Sequence, residues 1–213
     1  MSARYERGGV EFGRVLAFSD GLFAIAMTLL IVAIAAPALN DADSVGELAD
    51  ALNDQSEKFI SFFISFAVIG RYWVAHHQFF ARLAWMDAGL VGINLVYLAF
   101  VAFLPFPTDL LGSYFDNPLS VAIYAVNVAL ISGLEVVLFR HAHRRSMMRE
   151  GLPDDVYRWG VLMSLSPVVF FMASVPLAFI STTLAVACWF LGLPLALISD
   201  RWKPDEADRY LAG

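Results

Sequence analysis

From residue 159 to residue 199 the chain contains no Asp, Glu, Lys or Arg. Drawn out as one helix at 1.5 Å per residue, that run would reach about 60 Å, twice the hydrocarbon core of a bilayer. It has to fold back on itself, and Pro176 with the cluster Ser181, Thr182 and Thr183 places a tight turn near 179–183. The rest of the chain has the same character: 59% of its 213 residues are hydrophobic and 16% charged. Soluble domains run to about 45–50% apolar and about 25% charged. Disorder is excluded, and a soluble enzyme is not indicated.

Six apolar stretches of roughly 19 to 25 residues are each long enough to cross a bilayer core. They lie at about 15–39, 59–80, 88–111, 119–139, 159–180 and 182–199. The expected fold is all-α, a single polytopic membrane domain over residues 1–213 with six transmembrane helices. The first stretch is too long for a signal-peptide core of about 7–15 residues and reads as a retained helix. Residues 40–57 are polar and acidic and leave room for a short surface helix, and Pro105 and Pro107 should distort the end of the third span.

Charge placement gives the orientation. Arg4, Arg7 and Arg14 precede the first span, Arg82 follows the second, and Arg140, Arg144, Arg145, Arg149 and Arg158 follow the fourth. Arg201, Lys203 and Arg209 follow the sixth, so with six spans all of these fall on one side. The opposite side is acidic, with Lys58 the only cation of its first loop. Both termini are therefore expected to be cytoplasmic. A net charge of -6 gives no footprint for nucleic acid, and the single Cys188 offers neither a disulfide nor a thiolate metal site.

Ionisable groups inside a span are costly and turn toward protein or water. Asp20 lies about 10 Å in from the cytoplasmic start of the first span. His76 and His77 lie near the cytoplasmic end of the second, and Asn94 is at a similar depth in the third. These depths predict a polar cluster of Ser19, Asp20, His76 or His77, and Asn94, with Trp73 one turn from His77. Helix-packing glue is the ordinary use of such a network; a proton relay through Asp20 and His77 is the alternative.

Helix geometry adds a second inference. At about 100° per residue Arg14, Phe18, Gly21, Ile25, Leu29 and Val32 form one stripe, with Asp20 about 140° from Ile25. If the Asp20 side packs on its own subunit, the stripe faces either lipid or a symmetry axis. Arg14 lies at the start of that stripe, with Glu11 three residues before it.

The pattern R-x3-F-S-D at Arg14, Phe18, Ser19 and Asp20, followed by Gly21 and Thr28, resembles the signature of the transmembrane protein 175 family of potassium channels. The motif WVAHHQFF at 73–80, Asn94 and LPFPT at 104–108 are also similar to family features. The resemblance covers the first three spans; the last three match only in number and length. It implies a channel whose first helices line a central pore. One such motif per chain implies a homotetramer, in a prokaryotic cell membrane. Carried over by position, the constriction would fall on Ile25, Leu29 and Val32, with Thr28 beside it. Arg14, Phe18, Ser19, Asp20, Trp73, His77 and Asn94 would then hold the pore helix.

The expected partners are further copies of the chain, permeant monovalent cations and membrane lipid, with potassium as the permeant ion and no cofactor. A narrow apolar ring excludes water and passes ions when slightly wider. The filter sequence TVGYG is absent, and neither H-E-x-x-H nor G-x-S-x-G occurs, so no enzyme is expected. A proton-coupled secondary transporter using Asp20 and His77 is the alternative, and it would show saturable flux tied to a second gradient. A structural or assembly protein is the third class weighed.

Overall fold

A computed structural model describes residues 4–149, 151, 153–191 and 204. The chain opens with β1 (Arg4–Glu6) and α1 (Val10–Leu29), which tightens into a 3-10 turn (Leu30–Ala33). There follow α2 (Val45–Asn53), α3 (Ser56–Ala81), β2 (Trp85–Asp87), α4 (Ala88–Phe103), α5 (Pro105–Ser113), α6 (Pro118–Arg144), α7 (Asp154–Ala178) and α8 (Thr182–Phe190).

Among the described residues five helices are long and apolar enough to cross a membrane, not six. The sixth expected span begins as α8, whose described part is only 9 residues long. The remainder of 182–199 lies outside the described residues. The turn before α8 is where Pro176 and the hydroxyl cluster place it: α7 ends at Ala178, and the Ser181 hydroxyl accepts from the Leu184 amide at 3.3 Å to cap α8.

Two span boundaries differ from expectation. The first helix starts earlier, at Val10, and ends at Ala33, so residues 34–39 carry no helix. Pro37 supplies no amide and disfavours helical backbone at Ala36, and Ile34 is already extended at φ -103, ψ 98. The third span breaks at Leu104, where Pro105 opens α5 as its first helical residue. The acidic loop does hold a helix, α2, capped by the Ser44 hydroxyl accepting from the Glu47 amide at 3.2 Å.

An all-α fold also omits a small ribbon. β1 pairs antiparallel with β2, setting Tyr5 opposite Met86, and three residues per strand are too few to show a periodicity. This ribbon gathers the amino-terminal segment and the loop after α3 at one end of the bundle. The loop after α6 joins them, since the Ala84 amide donates to the Met147 carbonyl at 2.8 Å and the Arg149 amide to the Arg82 carbonyl at 2.9 Å. The Arg7 guanidinium closes the assembly, donating to the Phe80 and Leu83 carbonyls at 3.2 Å and to the Ala81 carbonyl, and so satisfies the free end of α3.

The core centres on α6, which buries 56% of its most apolar window against 22% for α1 and 17% for α7. Its hydroxyl contacts reach α3: Ser65 donates to Tyr124 at 3.1 Å, and Tyr72 meets Ser132. At the opposite end from the ribbon, α5 approaches α3 at Gly112. A Cβ there would lie 2.9 Å from the Lys58 Cα, so only glycine admits that approach.

Candidate functional site

α1 has two unlike faces. Phe12, Ser19, Phe23, Ala26 and Leu30 recur at three-, four- and seven-residue intervals and are buried against α3, α4 and α5. The opposite stripe is uncovered in a single chain: Ile25 is 60%, Leu29 46% and Val32 73% exposed, with Phe18, Gly21 and Arg14 exposed on the same side. Thr28 is exposed beside them, its hydroxyl donating to the Ile25 carbonyl at 2.8 Å. The Arg14 guanidinium lies 3.2 Å from the Glu11 carboxylate, one turn earlier on the same exposed face.

The polar residues behind this stripe form two sets. In the interior, Ser19 donates to the Val15 carbonyl at 2.9 Å, the Asn94 amide nitrogen donates to Ser19 at 3.0 Å, and the Asn94 oxygen lies 2.8 Å from His76 Nε2. These bonds fix the imidazole. With its nitrogen committed to Ser19, Asn94 offers only its oxygen, so His76 Nε2 is the donor and carries the proton. Phe23, Phe80 and Tyr97 pack their rings around it at 5.4, 4.4 and 5.6 Å. One hydrogen-bonded chain thus ties α1 to both α4 and α3.

Nearer the surface, the Trp73 indole donates to the Asp20 carboxylate at 3.0 Å, and Trp73 lies over His77 at 5.7 Å between ring centroids. The expected single cluster is divided: Ser19 and Asn94 meet His76, while Asp20 meets Trp73, with His77 behind that indole. Asp20 and His77 make no direct hydrogen bond among the described residues. The residue that sequence reasoning left unchosen is His76, and the signal for it lies in α3. Ser61, Ser65, Ile69, Tyr72, His76 and Phe80 fall on one helical face at three- and four-residue spacing, and all are buried.

A third polar contact steadies the ribbon end. Asp87 caps α4 by accepting from the Leu90 amide at 2.7 Å and lies 3.0 Å from His141 Nε2 on α6. Burial opposes ionisation of Asp87, but the Leu90 amide and His141 outweigh it and hold the carboxyl below its usual range. Among the described residues no group of three or more His, Cys, Asp or Glu is arranged to hold a metal.

Known proteins resemble this chain along most of its length. Residues 14–105, from the motif arginine to the first residue of α5, match the family described as Endosomal/lysosomal potassium channel TMEM175. A potassium channel of Streptomyces collinus is 43% identical over 121 residues, which span 57% of this chain and 57% of that one. A potassium channel of Chamaesiphon minutus is 33% identical over 202 residues, covering 89% of this chain and 96% of the relative. A crystal structure of a lysosomal potassium-selective channel TMEM175 homolog from Chamaesiphon minutus superposes with a TM-score of 0.70 at 33% identity, covering 89% of this chain and 98% of that chain. With a relative this similar along nearly its whole length, the chain belongs to the TMEM175 family.

Proposed function

We propose that copies of this chain assemble around α1 into a potassium-permeable cation channel, with Ile25, Leu29 and Val32 as the hydrophobic constriction. One observation carries this reading. The helix that is held from behind by hydrogen bonds to two neighbours leaves its apolar stripe uncovered, in a chain whose relatives are named potassium channels. Such a ring excludes water when narrow and admits a hydrated cation when slightly wider. The Ser19, Asn94 and His76 chain and the Asp20 and Trp73 contact act as scaffolding that sets the angle of α1. Pairing with Glu11 offsets the Arg14 charge where the stripe begins.

The finer assembly follows the same reading. Four copies, each with one R-x3-F-S-D unit, enclose the pore, and the single domain crosses the membrane six times, with 182–199 as the last span. The arginine-rich ribbon end lies on the cytoplasmic side with both termini, in the plasma membrane of a prokaryotic cell. No cofactor enters this mechanism.

The test is potassium flux from liposomes containing the purified protein, repeated with sodium and with Ile25→Asn. Electrogenic, non-saturating flux that the substitution enhances supports a pore through α1. Saturable flux that depends on a second gradient would instead favour the transporter built on Asp20 and His77.

A further inference from the structure

A cavity of about 480 Å³ lies between α3, α6 and the start of α7, and no residue of α1 lines it. Its character changes along its length. Arg82 and Arg149 stand at the ribbon end, Val74, Phe79, Leu138, Phe139 and Met163 contribute an apolar wall, and Arg71 and Glu135 interact electrostatically further in. Among the described residues, His76 Nδ1 and the Tyr97 hydroxyl in the inner part are buried without a hydrogen-bond partner. Because Nε2 carries the His76 proton, Nδ1 there is an acceptor, and water is the simplest donor to it.

Among the described residues no carboxylate forms an ion pair at the cationic end. The ion pairs among the described residues join Arg4 to Glu6, Arg14 to Glu11 and His141 to Asp87, and none includes Arg82 or Arg149. Among the described residues the Arg82 side chain donates to the Gln78 carbonyl, at 3.2 Å, and burial lowers its pKa. The backbone bond from Arg149 to Arg82 holds the two arginines side by side, and the Arg149 charge also acts on Arg7. Arg82 is half-buried and Arg149 exposed beside it; paired cations at a membrane surface attract an anion, and an apolar wall next to them suits a hydrocarbon chain.

We infer that this cavity binds an anionic phospholipid, with its phosphate between Arg82 and Arg149 and an acyl chain along the wall of Val74, Phe79, Leu138, Phe139 and Met163. The site is separate from the proposed pore and does not depend on it. Its inner polar end includes His76, which through Asn94 and Ser19 joins the hydrogen-bonded chain behind α1.

The experiment is native mass spectrometry of the full-length protein taken from vesicles of phosphatidylcholine and phosphatidylglycerol. Wild type should retain phosphatidylglycerol selectively. The double variant Arg82→Gln, Arg149→Gln should lower that retention about 30-fold, and each single change about fivefold. Arg144→Gln, at an exposed arginine outside the cavity, should leave it unchanged. Arg82→Lys with Arg149→Lys should keep most of it, and serves as the reference if the glutamine variants fold poorly. Equal retention of the two lipids by wild type would overturn the proposal, as would undiminished phosphatidylglycerol on the double glutamine variant. Complete displacement by millimolar inorganic phosphate would also overturn it, by showing that the ligand is the free anion. A cavity covered by a neighbouring copy would give no selective retention, with the same consequence.

Discussion

α1 and α7 are about equally bare within one chain, yet their exposed faces are built differently. α7 presents Leu162, Leu165, Val169 and Met172, a run of large side chains at helical spacing. Its polar groups bond close by: Ser166 and Ser174 donate to carbonyls of α7 itself, and Ser174 accepts from Trp189 of the adjoining α8. α1 intersperses Gly21, Ala24 and Thr28 among its exposed apolar residues, and its polar groups reach two other helices. Exposure alone therefore does not tell a lipid face from the proposed pore face. A helix that only meets lipid needs no polar anchors behind it, because each anchor places a costly group inside the membrane.

The sharpest way to break this contrast is to wet both faces. Ile25→Asn is expected to raise potassium flux at least about tenfold, equivalent to roughly 1.4 kcal/mol off the barrier, while Val169→Asn leaves flux unaltered. Equal responses in a liposome assay would remove the distinction. A step smaller in consequence is Asn94→Leu, which strands the His76 donor in the interior and should cost about 2–3 kcal/mol. Thermal dissociation of the detergent-solubilised oligomer measures it, and an unchanged midpoint would mean that the network does not hold α1. Ser174→Ala, the counterpart on α7, removes one neutral partner of Trp189 and should cost about 1 kcal/mol in the same assay.

The smallest effect concerns a contact that belongs to neither face. The folded state holds Asp87 below its unfolded pKa of about 3.9, so its contribution to stability is present above that pH and is lost as pH falls through the lowered folded value. Asp87→Asn should therefore flatten the acid limb of the stability profile below about pH 4. A wild-type profile already flat there would show that the His141 and Leu90 contacts contribute nothing.

The sequence carries the first five spans and the α1 stripe clearly, because charge exclusion and the 3.6-residue period are properties of consecutive residues. Pro176 and Ser181 mark their turn for the same reason. Less was legible wherever the answer depended on which way a neighbouring helix turns. His76 and His77 differ by about 100° around α3, and only the line of Ile69, Tyr72 and Phe80 shows which of them points inward. The end of the first span at Ala33 rather than 39 depends on Pro37, whose effect reaches backward through residues that are otherwise as apolar as the helix. The β1 and β2 ribbon joins segments far apart in the chain, and local composition carries no sign of such a pairing.

That ribbon also sets an order of events during synthesis. Arg7 and its Leu83 acceptor are 76 residues apart, and at about 5–20 residues per second a ribosome needs roughly 4 to 15 s to supply the second after the first. Until then the amino-terminal strand and the guanidinium that closes α3 have no partner. α1 is made before its own amino-terminal tether exists, so this helix is locked only after the following hairpin has emerged.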